Sequence, residues 1–363
     1  MKNNYITQDK LKNTTLADIF AFILEKKETT RREIERETGF SWGTVSANVS
    51  LLIEKGYINE KKSSKNVSFG RKTGIISLSS AGVASIGIDV NRSGISCVVV
   101  ALDSHVFYKF DDEFYAQTQC DVIKQAESIC RTAVDWCERN NIKVFSLGIA
   151  VQGSVNGRAG LSVRFPGISD WKPFNIKDHF VKTFNIPVYI GHDPKCMLLG
   201  EMARQKHDNC VLVRIDEGIG MAVSLDSKIL DDNEKFELGH TIVVPEGRIC
   251  RCGKKGCLEA YASLRAITGK EYNDDLQEIS SLYEPEIVEA GNCLAVSLYN
   301  VYTLFRPQKI ILTGKATRLG LLTEKAVSLL PNDDLIIDIR PDVSAAYGAS
   351  IESVKYANDS FII

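Results

Sequence analysis

Glu237-Leu238-Gly239-His240 is followed, ten residues after its histidine, by Cys250-Arg251-Cys252-Gly253-Lys254-Lys255-Gly256-Cys257-Leu258-Glu259. Three thiols and one imidazole form a complete tetrahedral donor set for zinc, with His240, Cys250, Cys252 and Cys257 as ligands. Gly253 and Gly256 allow the tight backbone that ligands spaced so closely demand. Four protein ligands leave no position for water, so the expected ion is structural, one per chain, and not catalytic. A metal-free thiol cluster is the alternative. The other seven of the ten cysteines are scattered, which suits reduced core residues in a cytoplasmic protein.

On both sides of this stretch the pattern is one of alternation. Apolar, β-rich runs at 84–90, 95–102, 144–151, 188–190, 211–215, 221–225 and 309–312 are separated by stretches of helical periodicity such as 120–140. That alternation predicts α/β layers. A length of 363 residues allows two or three domains, and 44% hydrophobic with 25% charged residues is ordinary for a soluble globular chain. The apolar run at 95–102 suits a buried strand and is far short of the roughly 18 residues that cross a bilayer, so no membrane insertion is expected. The N-terminus stays polar to Asn13, and the apolar segment 16–24 contains Asp18 and lacks a small-residue cleavage site, so a cytoplasmic location is expected.

The first 80 residues differ in charge from the rest. They carry 14 Lys and Arg against 9 Asp and Glu, a net of +5, whereas the remainder is −7. A basic end on an acidic body points to a polyanion for that end alone. Leu16, Ile19, Phe20, Ile23 and Leu24 form one apolar helical face. Thr30 then caps a short helix over 31–38 that stops at Gly39, and Ser41 caps a third helix in which Val45, Val49, Leu52 and Ile53 face inward. This pattern predicts a helix-turn-helix. Thr44, Ser46 and Asn48 are candidates for base contacts. Lys61, Lys62, Arg71 and Lys72, in a basic segment that could form a wing over 59–72, are candidates for the DNA backbone or minor groove. A plain three-helix packing domain with a solvated basic loop is the alternative.

The segment from Glu237 through His240, the Cys-x-Cys-Gly-x-x-Gly-Cys-Leu-Glu stretch ending at Glu259, and Ala260-Tyr261-Ala262-Ser263 together resemble the signature of the ROK family, which unites sugar kinases with sugar-responsive repressors. The likeness runs from about Ala84 to the C-terminus, and the head resembles that of the repressor branch. It implies an N-terminal winged helix-turn-helix followed by a two-lobed actin-like α/β domain of the ribonuclease H-like, sugar-kinase type. The resemblance also implies a sugar site lined by His192, Asp193, Glu237, His240 and Glu259, with His240 shared between sugar and zinc. The expected domains are residues 1–80, 81–195 and 196–344, with a C-terminal helix at about 345–363 returning to the first lobe.

Kinase and repressor differ in their phosphate loops. Asp193, in Ile190-Gly191-His192-Asp193, matches the family's catalytic base and is here a vestigial candidate for that role; an isolated Asp at that place is otherwise a helix cap. The first loop, Asp-x-Gly-Gly-Thr in the kinases, reads Asp89-Val90-Asn91-Arg92-Ser93. The second, Gly-Thr-Gly-Ile-Gly-Gly-Gly, reads Asp216-Glu217-Gly218-Ile219-Gly220-Met221, and the adenosine-side glycines read Thr313-Gly314-Lys315-Ala316. Side chains at Asn91 and Arg92 impede close backbone approach to a phosphate, and two carboxylates repel a triphosphate. The loop over 164–171 resembles the family's sugar-closing loop without its Pro-Asn pair, and Trp171 is either core or a stacking residue. The expectation is therefore a non-enzymatic transcriptional regulator, a repressor that binds operator DNA and senses a sugar or sugar phosphate as a homodimer or homotetramer. An ATP-dependent sugar kinase with an appended DNA-binding head is the alternative.

Overall fold

The computed structural model describes residues 8–62, 74–92, 94–205, 208–230, 236–269, 276–331 and 334–360. The chain divides into two compact units, residues 1–191 with 349–363, and residues 192–348.

The first unit begins with three helices, Gln8–Lys26, Arg31–Thr38 and Trp42–Glu54. Local chemistry sets their ends. The Thr30 side chain accepts from the Glu33 N–H, Gly39 closes the second helix at φ +73°, and the Ser41 side chain accepts from the Thr44 N–H. Strand Ile58–Lys62 pairs antiparallel with Gly74–Leu78, which also pairs with Glu28–Thr29, giving the winged form of the motif. Arg71 and Lys72 lie outside the described residues.

Behind the head lies a five-stranded sheet in the order Val188–His192, Lys143–Val151, Val83–Asn91, Gly94–Ala101, Val106–Glu113. The last three form an antiparallel meander, and Lys143–Val151 joins Val83–Asn91 in parallel. Strand Val83–Asn91 is buried at every position but its last, as a central strand covered on both faces must be. The second unit repeats this plan. Its sheet runs Lys228–Ile229, Ile219–Leu225, Cys210–Ile215, Lys309–Thr313, Ile336–Ile339, with an antiparallel meander followed by two parallel strands. Two sheets of identical order, each built from a meander and two crossovers, are the duplicated α/β lobes that the sequence implies.

The head does not hang on a linker. Ile19, Phe20, Ile23, Val45, Val49, Leu52 and Tyr57 share one core with Leu102 and Phe145 of the sheet and with Val354 and Ala357 of the C-terminal helix Ala345–Ser360. Phe20, Tyr57 and Phe145 meet as an aromatic trio with centroids 5.0 to 6.0 Å apart. Small residues let that helix lie directly on the sheet. A Cβ at Gly148 would fall 2.0 Å from the Ala349 carbonyl oxygen, and the hydroxyls of Ser350 and Ser353 meet those of Ser85 and Ser146 at 2.7 and 2.8 Å. At its far end the buried Asn358 donates through Nδ2 to the Ala17 carbonyl of the first helix at 3.0 Å. Replacing Asn358 with Leu removes that buried hydrogen bond and is expected to cost about 0.5–1.5 kcal/mol, read from urea denaturation, whereas a surface change on the same helix such as Lys355→Gln should cost little.

Candidate functional site

The site is assembled around the first residues of strand Ile219–Leu225, and glycines permit it. A Cβ at Gly220 would sit 2.7 Å from Pro194, the residue after Asp193. A Cβ at Gly218 would sit 3.0 Å from Glu259 Oε2, and one at Gly239 would sit 2.7 Å from the Ile219 carbonyl and 3.2 Å from the same Glu259 oxygen. Three elements thus converge on one strand end: Asp193 at the start of helix Asp193–Arg204, the single turn Leu238–His240, and Glu259. The surviving glycines of the second phosphate loop are explained by this close packing, without a nucleotide.

Each sugar-site candidate has a definite environment. Asp193 is 4% exposed, with Oδ1 3.2 Å from His192 Nε2 and Oδ2 accepting from Arg214 Nη1. Glu259 Oε2 accepts the Ile219 N–H at 3.1 Å, so this carboxylate holds the strand end as well as facing the turn at Gly239. Glu237 is exposed, and its carbonyl accepts the His240 N–H at 2.9 Å. His240 turns Nδ1 toward Cys250 Sγ at 3.7 Å. Its Nε2 is thereby left on the other side of the ring.

One donor atom from each of His240, Cys250, Cys252 and Cys257 lies within 4.8 Å of the others, and Cys252 Sγ and Cys257 Sγ are 3.6 Å apart. A tetrahedral ion with metal–sulfur bonds near 2.3 Å sets sulfur atoms about 3.8 Å apart, so the four residues can hold a metal. Positive φ at Gly253 (+86°) and Gly256 (+78°) turns the chain back between its ligands, and a Cβ at Gly256 would lie 1.9 Å from the Val244 carbonyl. The Tyr261 hydroxyl accepts the Arg248 N–H at 2.7 Å and anchors the loop. Without an ion, burial and the neighbouring thiols push Cys257 up to about 12, whereas the Lys254 N–H holds Cys252 below its ordinary value. Three thiols in one place need a cation to ionise together.

The segments that match the kinases' phosphate loops are engaged by the protein's own side chains. In the first, Arg92 lies over the Tyr115 ring at 4.5 Å and packs on Gly167, whose Cβ would fall 2.3 Å from Arg92 Nη1. Trp171 of the adjoining loop stacks on Phe165 at 4.8 Å and donates Nε1–H to the Ser162 carbonyl, which makes it a packing residue. In the second, Asp216 Oδ2 accepts from Arg214 Nε at 2.7 Å, and Oδ1 accepts the Lys315 N–H at 2.6 Å. The second loop is therefore bonded directly to the adenosine-side segment. Gly314 is required there, with φ +97° and a Cβ that would strike the Ile215 carbonyl at 2.4 Å. Sequence reasoning passed over Arg214. Its signal was an arginine inside the otherwise apolar strand Cys210–Ile215.

On the head, Thr44, Ser46 and Asn48 are half-buried, and all three make local bonds. The Thr44 and Ser41 hydroxyls meet at 2.9 Å, Asn48 donates to the Thr44 carbonyl at 2.8 Å, and Arg31 donates to both Ser46 oxygens. Arg31 also forks onto Glu60 of the wing at 2.8 and 3.0 Å, which holds the Glu60 carboxyl below its usual range. The exposed residues of the third helix are Trp42, Gly43, Ala47, Ser50, Leu51 and Glu54, with Lys61 exposed on the wing strand; Lys62 ends that strand. Trp42, 47% exposed, opens this helix beside the Ser41 cap.

The chain is 26% identical over 308 residues to the xylose repressor of Bacillus spizizenii, covering 80% of this chain and 79% of that protein. In fold it is similar to a ROK family transcriptional regulator described as a homologue of the E. coli MLC protein, with a TM-score of 0.79, 21% identity, and coverage of 97% and 99% of the two chains. It is also similar to a ROK family glucokinase from Streptomyces griseus in complex with glucose and AMPPNP, with a TM-score of 0.61, 21% identity, and coverage of 74% and 99%. Residues 85–332 match the family described as ROK, and the chain belongs to the ROK family.

Proposed function

We propose that this protein is a transcriptional repressor that binds operator DNA through its winged helix-turn-helix and responds to a sugar held at Asp193, Glu237, His240 and Glu259, with His192 beside them. The observation that carries the reading is the shared core of head and body, in which Phe20 and Tyr57 of the head pack on Phe145 of the first sheet. A DNA-binding motif built into the body in this way suits a regulator better than an enzyme with a tethered accessory. The xylose repressor named above supports the reading. Thr44, Ser46 and Asn48, with the exposed Trp42 and Ala47, would face the major groove, and Lys61, Lys62, Arg71 and Lys72 the phosphates. Carboxylates and an imidazole suit a polyol because each pairs with a hydroxyl, and a site built on such pairs rejects analogues that leave them unpaired. A symmetric dimer or tetramer would place two heads on half-sites about one helical turn apart or a multiple of it.

Fluorescence anisotropy with DNA from upstream of the gene and its neighbours, at fixed salt and with unrelated competitor, tests this. Specific binding that a sugar such as xylose reverses is the expected result. Failure to bind any fragment specifically, with and without sugar, would remove the DNA-binding assignment.

We infer that the metal is zinc, from the three-sulfur, one-nitrogen donor set and the closed four-ligand arrangement. With Nδ1 on the metal side, His240 would be oriented to offer Nε2 to the sugar, so that one ion holds the pocket wall in shape. Metal analysis should find about one zinc per chain, lost in Cys252→Ser. Full retention of zinc in that variant would refute the ligand set.

A kinase reading has the retained Asp193 and the glucokinase fold likeness in its favour. A general base must reach the attacking hydroxyl with an oxygen that can take its proton, and here both Asp193 oxygens already face donors, His192 and Arg214. Sugar-dependent ADP release is expected to stay at background. Turnover that disappears in Asp193→Asn would reverse this conclusion.

A further inference from the structure

We propose that Arg214 positions Asp193 for the effector, and that the effector group meeting Asp193 is a hydroxyl of an uncharged sugar, not a phosphate ester. The proposal rests on the sugar-sensing reading above and specifies the ligand of that site. Arg214 projects from strand Cys210–Ile215 with its side chain 15% exposed, beside Asp193 at 5% and Asp216 at 18%. Its guanidinium is planar, so two anchored nitrogens fix the whole group. Nη1 is bonded to Asp193 Oδ2 and Nε to Asp216 Oδ2, and Asp216 is itself fixed by the Lys315 N–H. This chain of contacts carries the position of the Lys315 backbone through two side chains to the Asp193 carboxylate.

Two consequences follow for a ligand. With Oδ2 held by Arg214 and Oδ1 beside His192 Nε2, the Asp193 carboxylate cannot rotate, and its remaining lone pairs have fixed directions. Those lone pairs ask for a donor. A hydroxyl supplies one, whereas an ionised phosphate ester brings acceptors to a place where the protein also offers acceptors. Charge points the same way. One guanidinium shared between two carboxylates leaves the trio at −1, and Glu259, whose Oε2 lies within 3.0 Å of a Cβ placed on Gly218, adds a further carboxylate. The guanidinium of Arg214, a natural partner for a phosphate, is already engaged by two carboxylates.

Isothermal titration calorimetry on the full-length protein tests this, with xylose, glucose and N-acetylglucosamine and a phosphate ester of each as probes. A free sugar is expected to bind, and its ester to bind about 10-fold or more weakly. Asp216→Asn keeps the shape and removes one negative charge, and should narrow the sugar-to-ester ratio about 10-fold. Arg214→Gln should weaken free-sugar binding about 10-fold or more, and Arg214→Lys, which restores the charge without the fork, should recover only part of it. A merely structural role for Arg214 predicts a lower melting temperature with the sugar-to-ester ratio of Asp216→Asn unchanged. That unchanged ratio would overturn the proposal even if the Arg214 variants failed to fold. Tighter binding of an ester than of its sugar would overturn it while sugar sensing stands, and no heat with any probe would overturn both.

Discussion

An arginine on a central, otherwise apolar strand has to find anions, because an unpaired guanidinium out of water costs several kcal/mol. Arg214 finds two, and the layout of the site depends on that fork. Asp193 is drawn to it from the start of one helix and Asp216 from the loop after the strand, while Lys315 joins through its backbone. The segments that in a nucleotide-binding relative would have to stay open around phosphates are here bonded to one another. Asp216 thus does more than take up room. It supplies the partner that the arginine requires.

The second constraint is backbone approach. Gly218, Gly220 and Gly239 let Glu259, Pro194 and the turn at His240 close on one strand end, with distances that a methyl group would violate. The same principle operates in the first unit, where Gly148, Ser85 and Ser146 let the C-terminal helix lie on the sheet and bring Asn358 to the first helix of the head. Hydrogen bonds between buried hydroxyls at that contact leave no polar atom to be hydrated, which allows helix and sheet to pack without large side chains. The head is consequently part of a continuous core and shares its aromatic trio with the body.

Much of this was legible in the residues. The caps at Thr30 and Ser41, the left-handed Gly39 and the inward face of Val45, Val49 and Leu52 follow from short-range chemistry, and the structure has them as the spacing predicts. The gathering of His240, Cys250, Cys252 and Cys257 was legible because three thiols and an imidazole with intervening glycines have few other uses. What a side chain does when a nearer partner competes for it was not legible. Ser46 is a candidate for base contact, and the two bonds it accepts from Arg31, fifteen positions away, could not be read from local spacing. Trp171 reads as either core or stacking, and Phe165 settles it.

The sequence by itself determined the alternating α/β plan, the winged head and the cysteine and histidine donor set, because each is written in residues close together in the chain. Only the tertiary structure decided that Arg214 occupies the place between Asp193 and Asp216, that Glu259 holds the Ile219 amide, and that Asn358 reaches Ala17 across 341 positions. The contacts to Asp193, Ile219 and Ala17 join residues far apart in sequence. Their partners are chosen by the requirement that buried charges and polar groups be satisfied wherever the packed elements bring them, and no local pattern encodes that choice.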